Sequence, residues 1–111
     1  MRSMLQTNAR FMIYASDAPS RKRLKIVGSA VSRIADSLEV ETELSGGKKL
    51  LSIYVYYRSD AGEEIPVYCD WGKSWEEDEV YQAIRNMMFV LSFHPRHLDL
   101  RSIRRKVCVS A

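Results

Sequence analysis

Cysteine is nearly missing from this chain. Cys69 and Cys108 are the only two in 111 residues and lie 39 positions apart. That is no disulfide framework, and it points to a reducing compartment. Long apolar runs are missing too. No stretch approaches the roughly 20 apolar residues a membrane helix needs, and no apolar core followed by a small-residue cleavage site opens the chain. We therefore expect a cytoplasmic protein without a membrane partner. The two histidines, His94 and His97, flank Pro95, which breaks helical i, i+3 geometry. With no second Cys/His pair beside them, no metal site is expected. No nucleotide loop is present either, because GGKK lacks P-loop spacing and sits between strands. No strained serine elbow or other catalytic signature marks a nucleophile. We expect no catalytic residues, no cofactor and a non-catalytic role.

Proline is scarce, and each of its three positions marks a boundary. Pro19 follows Ser16 and Asp17, which is helix-start chemistry. Pro66 cannot donate to a ladder on both sides, so its strand belongs at an edge or carries a bulge. Pro95 stops a helix near Phe93 or His94.

What is present suits one globular domain spanning residues 1–111, with 98–111 read as a partly ordered basic tail. Hydrophobic content of 46% with 28% charged residues argues against disorder. Charge is segregated along the chain. Residues 1–38 carry +5, residues 39–80 carry −7 and residues 81–111 carry +5. Such blocks attract one another in the fold or face partners of opposite sign.

The stretch Leu38 to Asp70 reads as three strands, LEVETEL, KLLSIYVYY and EEIPVYCD, joined by the turn signals SGGK and SDAG. Leu51, Ile53, Val55, Ile65, Val67 and Cys69 alternate onto one face. Glu39, Glu41, Glu43, Tyr54, Tyr56, Glu64 and Tyr68 alternate onto the other. Before them, Leu24, Val27, Val31, Ile34 and Leu38 recur at helical spacing, with Gly28 and Ala35 as small positions alongside. After them, Ser74 and Glu77 form a capping box for a second helix. Its stripe is Val80, Ile84, Met87, Met88 and Leu91, widened by Phe89 and Val90. Trp71 and Trp75 bracket the turn into that helix as a hydrophobic lid. RFMIYA, residues 10–15, alternates weakly and offers a fourth strand. The expected fold class is α+β: a two-layer sandwich with an antiparallel three- to four-stranded meander sheet, covered on one face by two amphipathic helices.

The helix–strand–strand–strand–helix order is similar to that of double-stranded RNA-binding domains. Those domains carry lysines at the start of the second helix, where this chain has Glu76, Glu77, Asp78 and Glu79, so no family is assigned. Two surfaces emerge as candidates. Tyr54, Tyr56, Tyr68, Glu41 and Glu43 would form a platform for another protein or a second copy. The alternative is nucleic acid, met by Arg21, Lys22, Arg23 and Lys25 together with Arg101, Arg104, Arg105 and Lys106.

Overall fold

The weakly alternating RFMIYA segment lies inside the sheet. A computed structural model describes residues 9–15, 21–46, 52–71, 74–95, 97, 100, 101 and 104. Its elements are β1 (Arg10–Ala15), α1 (Arg21–Leu38), β2 (Glu41–Gly46), β3 (Tyr54–Arg58), β4 (Glu64–Cys69) and α2 (Glu77–Leu91). They form a four-stranded sheet in the order β2-β1-β3-β4, with both helices on one face. The α+β class, the four strands and the helix-covered face are as expected.

The sheet is mixed, and this departs from a pure meander. β1 pairs with β2 in parallel and with β3 antiparallel, and β3 pairs antiparallel with β4. β2 therefore lies beyond β1, and the hairpin expected between LEVETEL and KLLSIYVYY is not formed. The reason is visible in composition. Phe11, Met12 and Ile13 of β1 are all at most 3% exposed, and an interior position satisfies such a strand's backbone groups on both sides. β2, ETELSG, is exposed along almost its whole length, which suits an edge. The parallel pairing follows from α1, since strand, helix and strand in succession make a crossover connection. Leu50, Leu51 and the second half of the SGGK turn, residues 47 and 48, fall outside the described residues.

The second turn is as read. Ser59 N–H donates to the Glu63 carbonyl at 2.8 Å, and Gly62 N–H donates back to Ser59 at 2.9 Å. Gly62 has φ 91°, which glycine adopts without steric penalty. At the end of α1, Glu39 takes φ 60°. The Val40 N–H then reaches the Ala35 carbonyl at 3.0 Å, closing the helix in Schellman fashion. LEVETEL thus contributes its first residue to the helix and its second to the cap.

The core lies between sheet and helices. Val27, Ala30, Val31, Ile34, Ala35 and Leu38 of α1 meet Phe11, Ile13, Val55, Tyr57, Ile65 and Val67 of the sheet. Phe11 and Tyr57 pack edge to face at 5.3 Å between centroids. From α2, Val80, Tyr81, Ile84 and Met88 are buried. Met87 and Val90, expected in that stripe, are 42% and 63% exposed. Tyr81 takes their place, with Arg33 of α1 lying 4.2 Å from its ring centroid. Arg33 also bridges to Asp78 at 2.7 Å and Glu77 at 3.2 Å, tying the helices together. Leu100 is fully buried in the same core, while most of the expected tail lies outside the described residues.

Helix α2 starts later than Ser74. Its N-cap is Glu76, and Glu79 Oε1 accepts the Glu76 N–H at 2.9 Å. The capping box is therefore shifted by two residues. Glu77, Asp78 and Glu79 in the first turn still meet the positive end of the helix dipole.

Candidate functional site

Neither helix covers the other face of the sheet, and the strand registers set its side chains out in rows. Glu41, Arg10, Arg58 and Glu64 form one row. Glu43, Met12, Tyr56 and Pro66 form the next, and Ser45, Tyr14, Tyr54 and Cys69 the third. Charge thus lies along one end, with an aromatic patch beside it.

Both arginines of the charged row are paired with glutamates of this face. Arg10 pairs with Glu43 at 2.9 Å, and Arg58 pairs with Glu64 at 2.6 Å. Glu64 also accepts the Tyr14 hydroxyl at 2.7 Å, while the Tyr14 ring sits edge to face with Tyr56 at 5.5 Å. The hydrogen bond from Tyr14, assisted by the Arg58 guanidinium, holds the Glu64 carboxyl below the usual carboxylate range despite partial burial. Burial, then the neighbouring Glu64, pushes the Tyr14 hydroxyl up. Met12, at the centre of the face, keeps only 2% of its surface and stands apart from the helix-side core.

Of the residues expected here, Tyr54, Tyr56, Glu41 and Glu43 are on this face. Tyr68 is not. The register slips between Val55 and Tyr56, so that Tyr68 pairs with Val55 and Cys69 with Tyr54. This bulge turns Tyr68 inward and Cys69 outward, reversing the alternation read from EEIPVYCD. Glu39 belongs to the α1 cap. Arg10, Met12, Tyr14 and Arg58 complete the face and were missed. The alternation of RFMIYA already separated Arg10, Met12 and Tyr14 from Phe11, Ile13 and Ala15. What it lacked was the knowledge that β1 lies beside β3.

Tyr68 joins a buried polar cluster. Its hydroxyl donates to Asp70 at 2.6 Å, and its ring tilts against Trp75 at 6.4 Å. Burial, then the Asp70 carboxylate, pushes its pKa far above the ordinary tyrosine value. Arg23 of α1 donates to both Asp70 oxygens, at 2.9 and 2.7 Å, and to the Trp75 carbonyl at 2.6 Å. The hydrogen bond to Asp70 raises the guanidinium pKa against the effect of burial. Trp75 is half-buried here, whereas Trp71 is 58% exposed. The two tryptophans thus do not act as one lid.

The basic candidates divide in the same way. Arg23 is engaged internally. Arg104 donates to the Ser92 carbonyl at 2.8 Å and Oγ at 3.0 Å, with its guanidinium 3.7 Å from the Phe93 ring centroid. Arg21, Lys22, Lys25 and Arg101 are exposed. Arg105 and Lys106 lie outside the described residues.

Among the described residues, no group of three His, Cys, Asp or Glu side chains is placed to hold a metal ion. No helix among them is long and apolar enough to cross a membrane. Comparison with protein-family models, curated proteins and solved structures finds no match for this chain.

Proposed function

We propose that this protein is a non-catalytic binding module that recognises another protein through the outer face of its sheet. The observation that carries this reading is the aromatic patch of Tyr14, Tyr54 and Tyr56 around Met12, bordered by self-neutralised ion pairs. Tyrosine offers a large rigid contact area with a polar tip, a combination enriched in interface cores. Internally paired arginines and glutamates lower the charge that a partner must strip of water, so a polar rim surrounds half-buried tyrosine rings packed about a buried Met12. A nucleic-acid partner fits less well. Two of the basic side chains it would use, Arg23 and Arg104, already hold the fold together.

The test is affinity capture with the full chain and with a Tyr54→Ala/Tyr56→Ala double variant of unchanged circular dichroism. The expected result is a stoichiometric protein partner retained by the first and lost by the second. In parallel, labelled duplex and single-stranded nucleic acids are titrated at low and physiological salt. Tight, salt-sensitive binding, abolished by Arg21→Gln/Lys22→Gln and untouched by the tyrosine changes, would reverse the reading.

A further inference from the structure

We propose that β2 is a self-association edge. Two copies join β2 to β2 antiparallel about a two-fold axis at Leu44, making one continuous sheet from two four-stranded ones. This goes beyond the tyrosine-face reading and does not depend on it.

The sheet has two edges, and they are not alike. β4 carries Pro66 and takes part in a register slip against β3. These are devices that keep an edge from pairing with another chain. β2 has no proline, no lysine and an unbroken register with β1 from Glu41 to Gly46. Among the described residues no strand pairs with its outer side. A six-residue strand with free backbone donors and acceptors is a template for pairing.

The side chains on the helix side agree. Leu44 projects to that side and is 61% exposed. It forms a wall of an open groove of about 550 Å³ between β2 and α1, lined also by Leu24, Lys25, Gly28, Ser32 and Thr42. A Cβ atom at Gly28 would meet nothing within 4 Å. The α1 surface above β2 is therefore low and open at Gly28.

Register and charge select the occupant. A two-fold axis normal to the sheet sets residues of one face against each other, so it must pass through a residue. An axis at Thr42 opposes Glu41 to the partner's Glu43, and an axis at Glu43 opposes that residue to its own copy. Both juxtapose like charges, which destabilises a pair. An axis at Leu44 opposes Leu44 to its copy, Glu43 to Ser45 and Thr42 to Gly46. That register buries the exposed leucine without opposing those acids. The same axis runs the two grooves in opposite directions. Exposed Lys25 and Glu77 both line the groove, as does Arg33, which bridges Glu77 within its own copy. The resulting dimer carries two tyrosine faces on one side of one sheet, so a partner displaying two epitopes would gain by avidity.

The experiment is sedimentation equilibrium of the full chain over the micromolar range, with Leu44→Lys beside it. The wild type is expected to dimerise, and the variant to dissociate about tenfold more readily or worse, because lysine on an edge strand opposes pairing. Exposure of Leu44 lets the variant keep the wild-type circular dichroism. A second measurement uses Leu44→Cys in a Cys69→Ser/Cys108→Ser background. Directly opposed strand residues fall within disulfide reach, so oxidation should give a covalent dimer, while Glu41→Cys should not. A monomeric wild type, or a dimer that survives Leu44→Lys with no Leu44→Cys cross-link, overturns the proposal. So does a dimer lost on Tyr54→Ala/Tyr56→Ala, which would move self-association to the tyrosine face.

Discussion

Arg23 and Asp70, 47 residues apart in sequence, meet through two hydrogen bonds of 2.9 and 2.7 Å. This contact joins the first turn of α1 to the end of β4. It explains how a helix can begin with Arg21, Lys22, Arg23 and Lys25, where the dipole favours acids. One of those bases is withdrawn into a carboxylate, a carbonyl and a tyrosine hydroxyl cluster. Asp70 is only 4% exposed at its side chain, so the pair is a buried one.

Removing one partner of such a pair is the severe change, because it leaves an uncompensated charge out of water. Arg23→Ala should destabilise by about 3–5 kcal/mol, while Arg21→Ala, on the exposed side, should be near neutral. Urea melts of the two variants decide it. Equal midpoints would mean that the cluster contributes nothing to the fold. Tyr68 adds a signature at high pH. A tyrosine ionises near pH 10 when unfolded, and Tyr68 keeps its proton well beyond that when folded. Stability should therefore be insensitive to Tyr68 below pH 10 and fall as pH rises above it.

The shifted cap makes a sharper pair of variants. Glu79 accepts the Glu76 backbone N–H, and Ser74 lies outside the first turn. Glu79→Ala should cost about 0.5–1 kcal/mol, in the range of lost capping bonds, and Ser74→Ala a few tenths at most. Thermal melts that rank them the other way would put the helix start back at Ser74.

On the outer face, Tyr14 is the leading cause of the low Glu64 pKa. Tyr14→Phe should move the Glu64 midpoint upward toward the ordinary glutamate value, read by carboxyl carbon NMR against pH. The sign for stability follows. A carboxyl depressed in the folded state stabilises above its unfolded pKa, and that contribution is lost as pH falls through the folded pKa. The variant should therefore show a weaker loss of stability on acidification. An unmoved midpoint would assign the effect to Arg58 alone.

What the sequence determined by itself is the set of local choices. The 3.6-residue stripe from Leu24 to Leu38, the alternation of Ile53 and Val55, and the Gly62 turn each depend on neighbours a few residues away. Each is in place. Pro66 likewise announced an edge, because a missing N–H is a local property. Only the tertiary structure decided which strand lies beside which. SGGK has hairpin chemistry, yet burying Phe11, Met12 and Ile13 in the sheet interior outweighed the short connection and sent β2 to the far side of β1. That choice built the outer face, bringing Tyr14 beside Tyr56 and Arg10 beside Glu43 across 42 and 33 positions. The bulge at Val55 did the same for Tyr68. One extra residue in a strand reverses every later side chain, and whether it occurs depends on what the inward residue finds there. For Tyr68 that is Asp70, held by Arg23 from the other end of the fold.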